Sequence, residues 1–290
     1  MILVGASTGK LGRLVIRALL ERVPAQEIIA GARSLTKARA FSLYDIDDRD
    51  LDYSQPETAE KALSGIDKLL LISGNEPSRV AQHISVVEAA KKNGVKHIAY
   101  TSVLHADSAK TLLAKDHADT EAAIRASGIP FTFLRNGWYI ENYTDNLESL
   151  LRFGLYGATG DQKFSPAARA DLAEAAAVVL TSAGHEGKTY ELGGDTAYSL
   201  SEIAMEISRI AGRSVTYGDL SLIEYKSLLL KLGLPDAFAA LLADADLGTA
   251  RGELLDTSGD LSRLIGRPTT PLATVIEQAI RDNFNIKEKF

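Results

Sequence analysis

Six short apolar, β-branched or leucine-rich runs punctuate the first half of the chain, and a stretch with helical character separates each from the next. The runs fall at Ile2–Val4, Ile28–Ala32, Ile46–Leu51, Lys68–Ile72, His97–Thr101 and Phe131–Leu134. Between them, helices are expected over Lys10–Arg22, Thr36–Phe41, Pro56–Leu63, Ser78–Asn93 and Asp116–Ser127. The first helix is the clearest, because Leu11, Leu14, Val15, Ala18 and Leu19 recur at the spacing that gathers them on one face. Strands alternating with helices of this length join into one parallel sheet through right-handed crossovers. The third run is crowded by Asp47, Asp48 and Asp50, which suits a short strand or one near a sheet edge.

After about residue 135 the alternation loosens. Helices are expected at Ala168–Thr181, Ser199–Ala211, Leu222–Leu232 and Thr270–Asp282, with short strands at Thr189–Leu192 and Val215–Tyr217. The chain therefore reads as an α/β domain over residues 1–135 and a smaller, mostly helical C-terminal lobe over 136–290, with crossovers back to the first domain. There is no internal repeat and no low-complexity linker.

The stretch Val4-Gly5-Ala6-Ser7-Thr8-Gly9-Lys10-Leu11-Gly12 leaves the first strand and opens the first helix. In that setting glycines let a pyrophosphate approach the backbone, and the free N–H groups of the helix start stabilise the anion. The same loop without a ligand would be a tight turn. The second strand ends in Arg33, with Lys37 four residues on, where a site for an unphosphorylated ribose would carry an acid. Two cations there suit a 2′-phosphate, hence NADPH; the alternative is a pair of ordinary surface cations. Asp52-Tyr53 follows the third strand, within reach of an adenine, and Ser73-Gly74-Asn75 follows the fourth, at the carboxyl end where ligands of such sheets collect. A solvated Asp52 and a plain turn at Ser73–Asn75 are the competing readings.

Composition excludes much else. The 290 residues contain no cysteine, which removes disulfides, thiolate metal sites and cysteine nucleophiles. A net charge of −6 without a long basic run argues against nucleic acid as the main partner. No apolar run approaches a membrane span, and the N-terminus opens directly on a strand, so a cytoplasmic location without a signal peptide is expected. The histidines lack metal-ligand spacing, so no metal is expected.

Several segments together are more specific than the glycine loop. The loop itself, Asp52-Tyr53, Leu69–Ser73, His97–Ser102 and Leu134-Arg135-Asn136-Gly137-Trp138-Tyr139 resemble the NmrA-like atypical short-chain dehydrogenases. Within them the chain is most similar to the bacterial NADPH-dependent quinone oxidoreductases of type 2, with triphenylmethane reductases more distant. The likeness runs nearly the whole length, through Gly184–Lys188 and Gly233-Leu234-Pro235. It implies a Rossmann-like domain with a C-terminal substrate lobe. It also implies that NADPH meets Ala6, Ser7, Thr8, Gly9, Lys10 and Leu11, Arg33, Ser73, Gly74 and Asn75, and Arg169. The segment Gly137–Asn142, including Trp138, Tyr139 and Asn142, would close over the nicotinamide end. Relatives read Gly-x-x-Gly-x-x-Gly, whereas here Ala6 takes the first glycine position. If that position needs a positive φ, alanine is strained there or the loop shifts by one residue.

Ordinary short-chain dehydrogenases protonate a carbonyl with Tyr-x-x-x-Lys; here Lys115 is preceded four residues earlier by Thr111. A quinone needs such an acid less, since its hydroquinone anion can take a proton from water and the cofactor carries the hydride chemistry. Trp138, Tyr139, Tyr143 and Phe153 are placed to line an aromatic pocket, and His117 and Tyr139 are the candidate catalytic side chains. His117 lies one helical turn from Glu121. It is either a proton donor or a helix-surface histidine paired to Glu121, and Trp138 is either pocket wall or core. The leading expectation is hydride transfer from NADPH to a quinone without flavin or metal. A non-enzymatic redox sensor that binds the dinucleotide, and a reductase of dyes or other conjugated electrophiles, are the alternatives.

Overall fold

The computed structural model describes residues 1–287, with side chains described through residue 282. Two compact units divide it, each built from three separate stretches. The first comprises Met1–Ala106, Asp116–Asn136 and Ala170–Tyr190; the second comprises Asp107–Lys115, Gly137–Arg169 and Glu191–Phe290.

The first unit opens with β1 (Ile2–Val4), α1 (Lys10–Leu20), β2 (Ile28–Ala32), α2 (Leu35–Ala38), β3 (Asp47–Asp50) and α3 (Pro56–Ala62). It continues through β4 (Lys68–Leu71), α4 (Arg79–Lys92), β5 (His97–Val103), α5 (Leu112–Ser127) and β6 (Phe131–Asn136). The seven-stranded sheet runs β3-β2-β1-β4-β5-β6-β8, with β8 supplied by Lys188–Leu192, and the pairings from β3 through β6 are all parallel. The order reverses beside β1, which places the glycine loop at the switch point where ligands of such sheets bind. The aspartate-rich β3 lies at the sheet edge, as its charge suggested.

Every residue of β1, β2 and β5 is buried, because helices cover both faces. Leu3, Ile29, Leu69, Leu71, Ile98, Tyr100 and Phe133 form one face of the core with apolar residues of α3, α4 and α5. Of the stripe read from the sequence of α1, Leu11, Val15 and Leu19 are buried and Leu14 and Ala18 half-buried, Ile16 joins the buried face, and the helix packs on β1 and β2. The helix expected over Thr36–Phe41 is instead the short α2 followed by a 3₁₀ segment at Arg39–Tyr44.

The second unit holds α6 (Glu141–Thr144), α7 (Leu147–Phe153) and β7 (Leu155–Gly157). The chain returns to the first unit with α8 (Arg169–Thr181) and β8 (Lys188–Leu192). The second unit then adds α9 (Leu200–Ala211), β9 (Tyr217–Asp219), α10 (Leu222–Lys231), α11 (Asp236–Ala250), α12 (Asp260–Ile265) and α13 (Leu272–Lys287). The strand expected at Val215–Tyr217 is shifted to Tyr217–Asp219 and pairs in parallel with β7. Of these elements α6, α7, β7, α11 and α12 carried no sequence expectation. Among the described residues no helix is long and apolar enough to cross a membrane.

Candidate functional site

The glycine loop is held by two neighbouring strands and by a bond of its own. Gly5 donates its N–H to the Leu70 carbonyl at 2.9 Å, Ser7 to Gly31 at 3.0 Å and Gly9 to Ala6 at 3.0 Å. At Gly5 a Cβ would collide with the Tyr53 hydroxyl, and at Gly12 it would stand 2.5 Å from the Ala6 carbonyl oxygen. Both positions therefore exclude side chains for packing reasons. Ala6 takes the left-handed conformation, φ 47°, so the strain anticipated at the first glycine position is present.

Gly9 is the N-cap of α1, and no side chain caps the helix. Within the helix the first N–H taken by the chain is that of Arg13, on Gly9. The N–H groups of Leu11 and Gly12 and the positive end of the dipole thus face the place of an anion. The Ser7 hydroxyl is buried and meets no hydrogen-bond partner. These observations fit a dinucleotide pyrophosphate over the loop. Thr8 is half-buried and Lys10 exposed, while Leu11 packs inward.

At the end of β2, Arg33 reaches over exposed ground to Glu76, 3.2 Å away, and Lys37 is exposed on α2. The sequence offered no signal for Glu76. Asp52 receives hydrogen bonds from Ser54 N and Oγ at 2.9 and 2.7 Å and from Gln55 at 3.2 Å. Burial pushes its carboxyl up, but these bonds and nearby Arg33 outweigh it and hold the group below its ordinary range. Asp52 is therefore a turn-former, neither simply solvated nor free to take an adenine hydrogen bond with its full carboxylate. Tyr53 donates to the Ile72 carbonyl at 3.1 Å and braces Gly5 from below.

The loop after β4 is pinned to its surroundings. Ser73 N–H donates to Thr101 Oγ1 at 2.9 Å, Gly74 N–H donates to His83 Nε2 at 3.1 Å, and Asn75 is exposed. Since His83 Nε2 accepts, its proton sits on Nδ1 and points to Thr120 Oγ1, 3.2 Å away. Burial first, and the nearby Arg79 charge second, push His83 down to about 4, so this neutral tautomer persists at physiological pH.

The surface pairing of His117 with Glu121 is corrected by the structure. His117 is buried and its Nδ1 lies 2.8 Å from the Tyr100 hydroxyl. Burial, then His83 and Arg79, push it down to about 3. Glu121 is buried as well, but it meets Arg135 through two bonds of 2.9 and 2.8 Å and accepts from Ser102 at 2.7 Å. The shared helix face was read correctly; it faces inward because β6 supplies the counter-charge.

In the second unit, Gly137–Asn142 forms a strap along residues 165–169. Gly137 N–H donates to Leu192 at 2.9 Å, Ala167 N–H to Trp138 at 2.9 Å and Ile140 N–H to Ala167 at 3.0 Å. Arg169 is buried, lies over the Tyr139 ring at 4.9 Å from its centroid, and pairs with Asp145 at 3.2 Å. Glu141 accepts the Arg169 N–H with both oxygens, at 2.9 and 3.0 Å. Trp138 and Tyr139 are half-buried and Asn142 is exposed, so Trp138 is not closed into a core. Phe153 lies on the surface, with the Arg152 guanidinium over its ring. Among the described residues no cluster of three acidic or histidine side chains could hold a metal.

A parallel sheet switching direction beside an uncapped glycine-loop helix defines a dinucleotide-binding protein, and the chain belongs to the NAD(P)H-binding family, whose model matches residues 5–183. More narrowly, it is 46% identical to quinone oxidoreductase 2 of Escherichia coli, over 98% of this chain and all of that one. The structure of that NADPH-dependent quinone oxidoreductase in complex with NADPH superposes with a TM-score of 0.92 over 97% of this chain and 100% of its own. The triphenylmethane reductase of a Citrobacter species, complexed with NADP(H), is 39% identical, with a TM-score of 0.90 over 96% of this chain and 100% of its own.

Proposed function

We propose that the chain is an NADPH:quinone oxidoreductase that passes a hydride directly to its acceptor, without flavin or metal. The observation that carries this reading is the uncapped start of α1 beneath a loop closed to side chains, in a chain alike over its full length to an enzyme of that activity. Ala6 to Leu11 line the pyrophosphate, which the Ser7 hydroxyl and the backbone N–H groups at the start of α1 would hold while Ser7 and Gly9 keep their own N–H groups on Gly31 and Ala6, and Arg33 and Lys37 meet the 2′-phosphate. Ser73 and Asn75 edge the cleft beyond β4, while Gly74 keeps its N–H on His83 and contributes only its lack of a side chain. Gly137, Trp138, Tyr139, Asn142 and Arg169 form the strap assigned to the nicotinamide end. When bound, the cofactor supplies the hydride.

The protein's part is orientation and exclusion of water more than acid catalysis. His117 is neutral and its Nδ1 faces Tyr100, so we read it as a member of a buried network, leaving the acceptor's proton to another source. Tyr139 is stiffened by Arg169 above its ring, which suits a wall that keeps its shape.

The test is NADPH oxidation, followed by its absorbance, with a panel of 1,4-quinones and cationic dyes and with NADH as control. Selective turnover of quinones with NADPH is the expected result. Cofactor binding without turnover of any acceptor would instead support a redox sensor, and faster turnover of dyes than of quinones would reassign the acceptor.

A further inference from the structure

One buried histidine supports both loops assigned to the cofactor, and neither hydride transfer nor pyrophosphate binding calls on it. His83 lies in the second turn of α4 and is fully buried. Its ring meets those of Tyr53 and Tyr100 edge to face, with centroids 6.1 and 5.6 Å away. Tyr53 in turn props the glycine loop, where a Cβ on Gly5 would strike its hydroxyl. Three consecutive residues after β4 are each fastened by a side chain from a different part of the chain. Tyr53 holds the Ile72 carbonyl at 3.1 Å, Thr101 of β5 holds the Ser73 N–H at 2.9 Å, and His83 holds the Gly74 N–H at 3.1 Å. The Gly74 bond is the last of the three before the chain runs out through the exposed Asn75, Glu76 and Pro77. A Cβ on Gly74 would meet nothing within 4 Å, so the loop is open at this point to an approaching ligand.

The hydrogen bonds through His83 run in one direction. Gly74 N–H donates to Nε2, Nδ1–H donates to Thr120 Oγ1 at 3.2 Å, and the Thr120 hydroxyl donates to the Asp116 carbonyl at 3.0 Å. Each atom has one role, so a change of tautomer would leave a donor facing a donor in the core. Burial and the Arg79 charge keep the ring neutral, so Nε2 stays an acceptor. Arg79, one turn earlier on α4, meets the Asp116 carboxylate at 3.3 Å. Arg79 and His83 are thus matched, at the same helical spacing, to Asp116 and Thr120 of α5, which fixes the start of α4 and the loop that feeds it. An apolar side chain would pack against Tyr53 and Tyr100 as well, and a buried polar ring costs free energy unless it is bonded. What histidine adds to packing is the acceptor for a loop N–H.

We infer that His83 is a positioning residue for NADPH: by holding Gly74 through Nε2 and Tyr53 through its ring, it keeps the loop after β4 and the glycine loop in their cofactor-binding shapes before the cofactor arrives. The inference rests on the reading of Ser73–Asn75 as an edge of the NADPH site. A loop already in place gives up less conformational freedom on binding, so affinity is gained without any contact between His83 and the cofactor.

Calorimetric NADPH affinity and amide hydrogen exchange test this on the full chain, for wild type, His83→Phe and His83→Gln, with circular dichroism to establish that each is folded. In wild type the Gly74 amide should be protected before NADPH is added, and nitrogen NMR of the ring should find Nε2 bare and Nδ1 protonated. His83→Phe keeps an aromatic ring but offers no acceptor. It should open the Gly74 amide to exchange and loosen NADPH about three- to tenfold, the effect of one lost neutral hydrogen bond. His83→Gln, whose amide oxygen can accept the same N–H, should return affinity to within about twofold of wild type. A histidine that serves the core alone would lower the urea midpoint of His83→Phe and leave the affinity of the folded chain as it was. That result, or a His83→Gln variant as weak as His83→Phe, overturns the assignment. So does a proton on Nε2, or a Gly74 amide protected only once NADPH is bound, and these two readings need no variant. If wild type binds NADPH in such a case, only the role of His83 falls. A wild type that binds none would take the cofactor reading of both loops with it.

Discussion

At the scale of single residues, the discriminating position is Arg33, because its exposed guanidinium is already shared with Glu76. A 2′-phosphate must compete with that carboxylate for the same cation. An exposed ion pair is worth roughly 0–1 kcal/mol, so Glu76→Gln should tighten NADPH binding by up to about fivefold at low salt and leave NADH unaffected. Arg33→Asp should abolish the preference for NADPH. Calorimetry at two salt concentrations checks both, since the Glu76 effect must shrink as screening rises; a gain that persists at high salt would point away from charge competition. Ala6 is the second informative residue. Its φ of 47° costs an L-residue about 1–2 kcal/mol, partly offset in a glycine variant by that residue's greater chain entropy. Ala6→Gly should raise the melting temperature by about 1–2 °C. A fall would mean that the loop relies on alanine for rigidity and not merely tolerates it.

At the scale of elements, the strands of the seven-stranded sheet were legible to within a residue or two because a doubly covered parallel sheet writes continuous apolar runs into the sequence, whereas β7 of the small sheet left no such run. The glycine loop was legible for the same local reason, strand to turn to helix. The helix α11 was not, since Asp236–Ala250 is so rich in alanine that no clear apolar stripe emerges. Periodicity placed His117 and Glu121 together on α5 but could not say which way they face, since Arg135 arrives from a separate element, β6. The outcome is a buried His83–Thr120 and Tyr100–His117 network whose histidines are held neutral, at about 4 and about 3. Below an ordinary histidine pKa of about 6.5 the unfolded chain takes up protons that the folded one refuses. Stability from these groups is therefore complete above that pH and is lost as pH falls toward 4. Urea midpoints at pH 7, 5.5 and 4.5 should decline, and more gently for His117→Gln. Parallel decline in the variant would exclude His117 as a contributor.

At the scale of the whole chain, sequence order and folding unit part company. A boundary near residue 135 follows the last strand of the regular alternation, yet the first unit also requires Ala170–Tyr190. That stretch brings α8, in which Leu172, Ala175, Ala176, Val179 and Leu180 are buried. It also ties into the sheet by specific bonds. Lys68 Nζ donates to the Leu180 carbonyl at 2.7 Å, Gly187 N–H to Phe131 at 2.7 Å, and Thr132 Oγ1 to His185 at 2.6 Å. A fragment ending at Asn136 would keep the glycine loop and every strand from β1 to β6, but it would turn β6 into an open edge and strip a helix that buries alanine and leucine. Unpaired edges and uncovered apolar faces aggregate. The fragment 1–136 should accordingly show no cooperative thermal transition and no protection of the β6 amides in hydrogen exchange, although all the residues assigned to the pyrophosphate are present. A sharp melt with NADPH binding would instead make the returning stretch an addition to a domain already complete, and the strap at Gly137–Asn142 would then be dispensable for the first step of recognition.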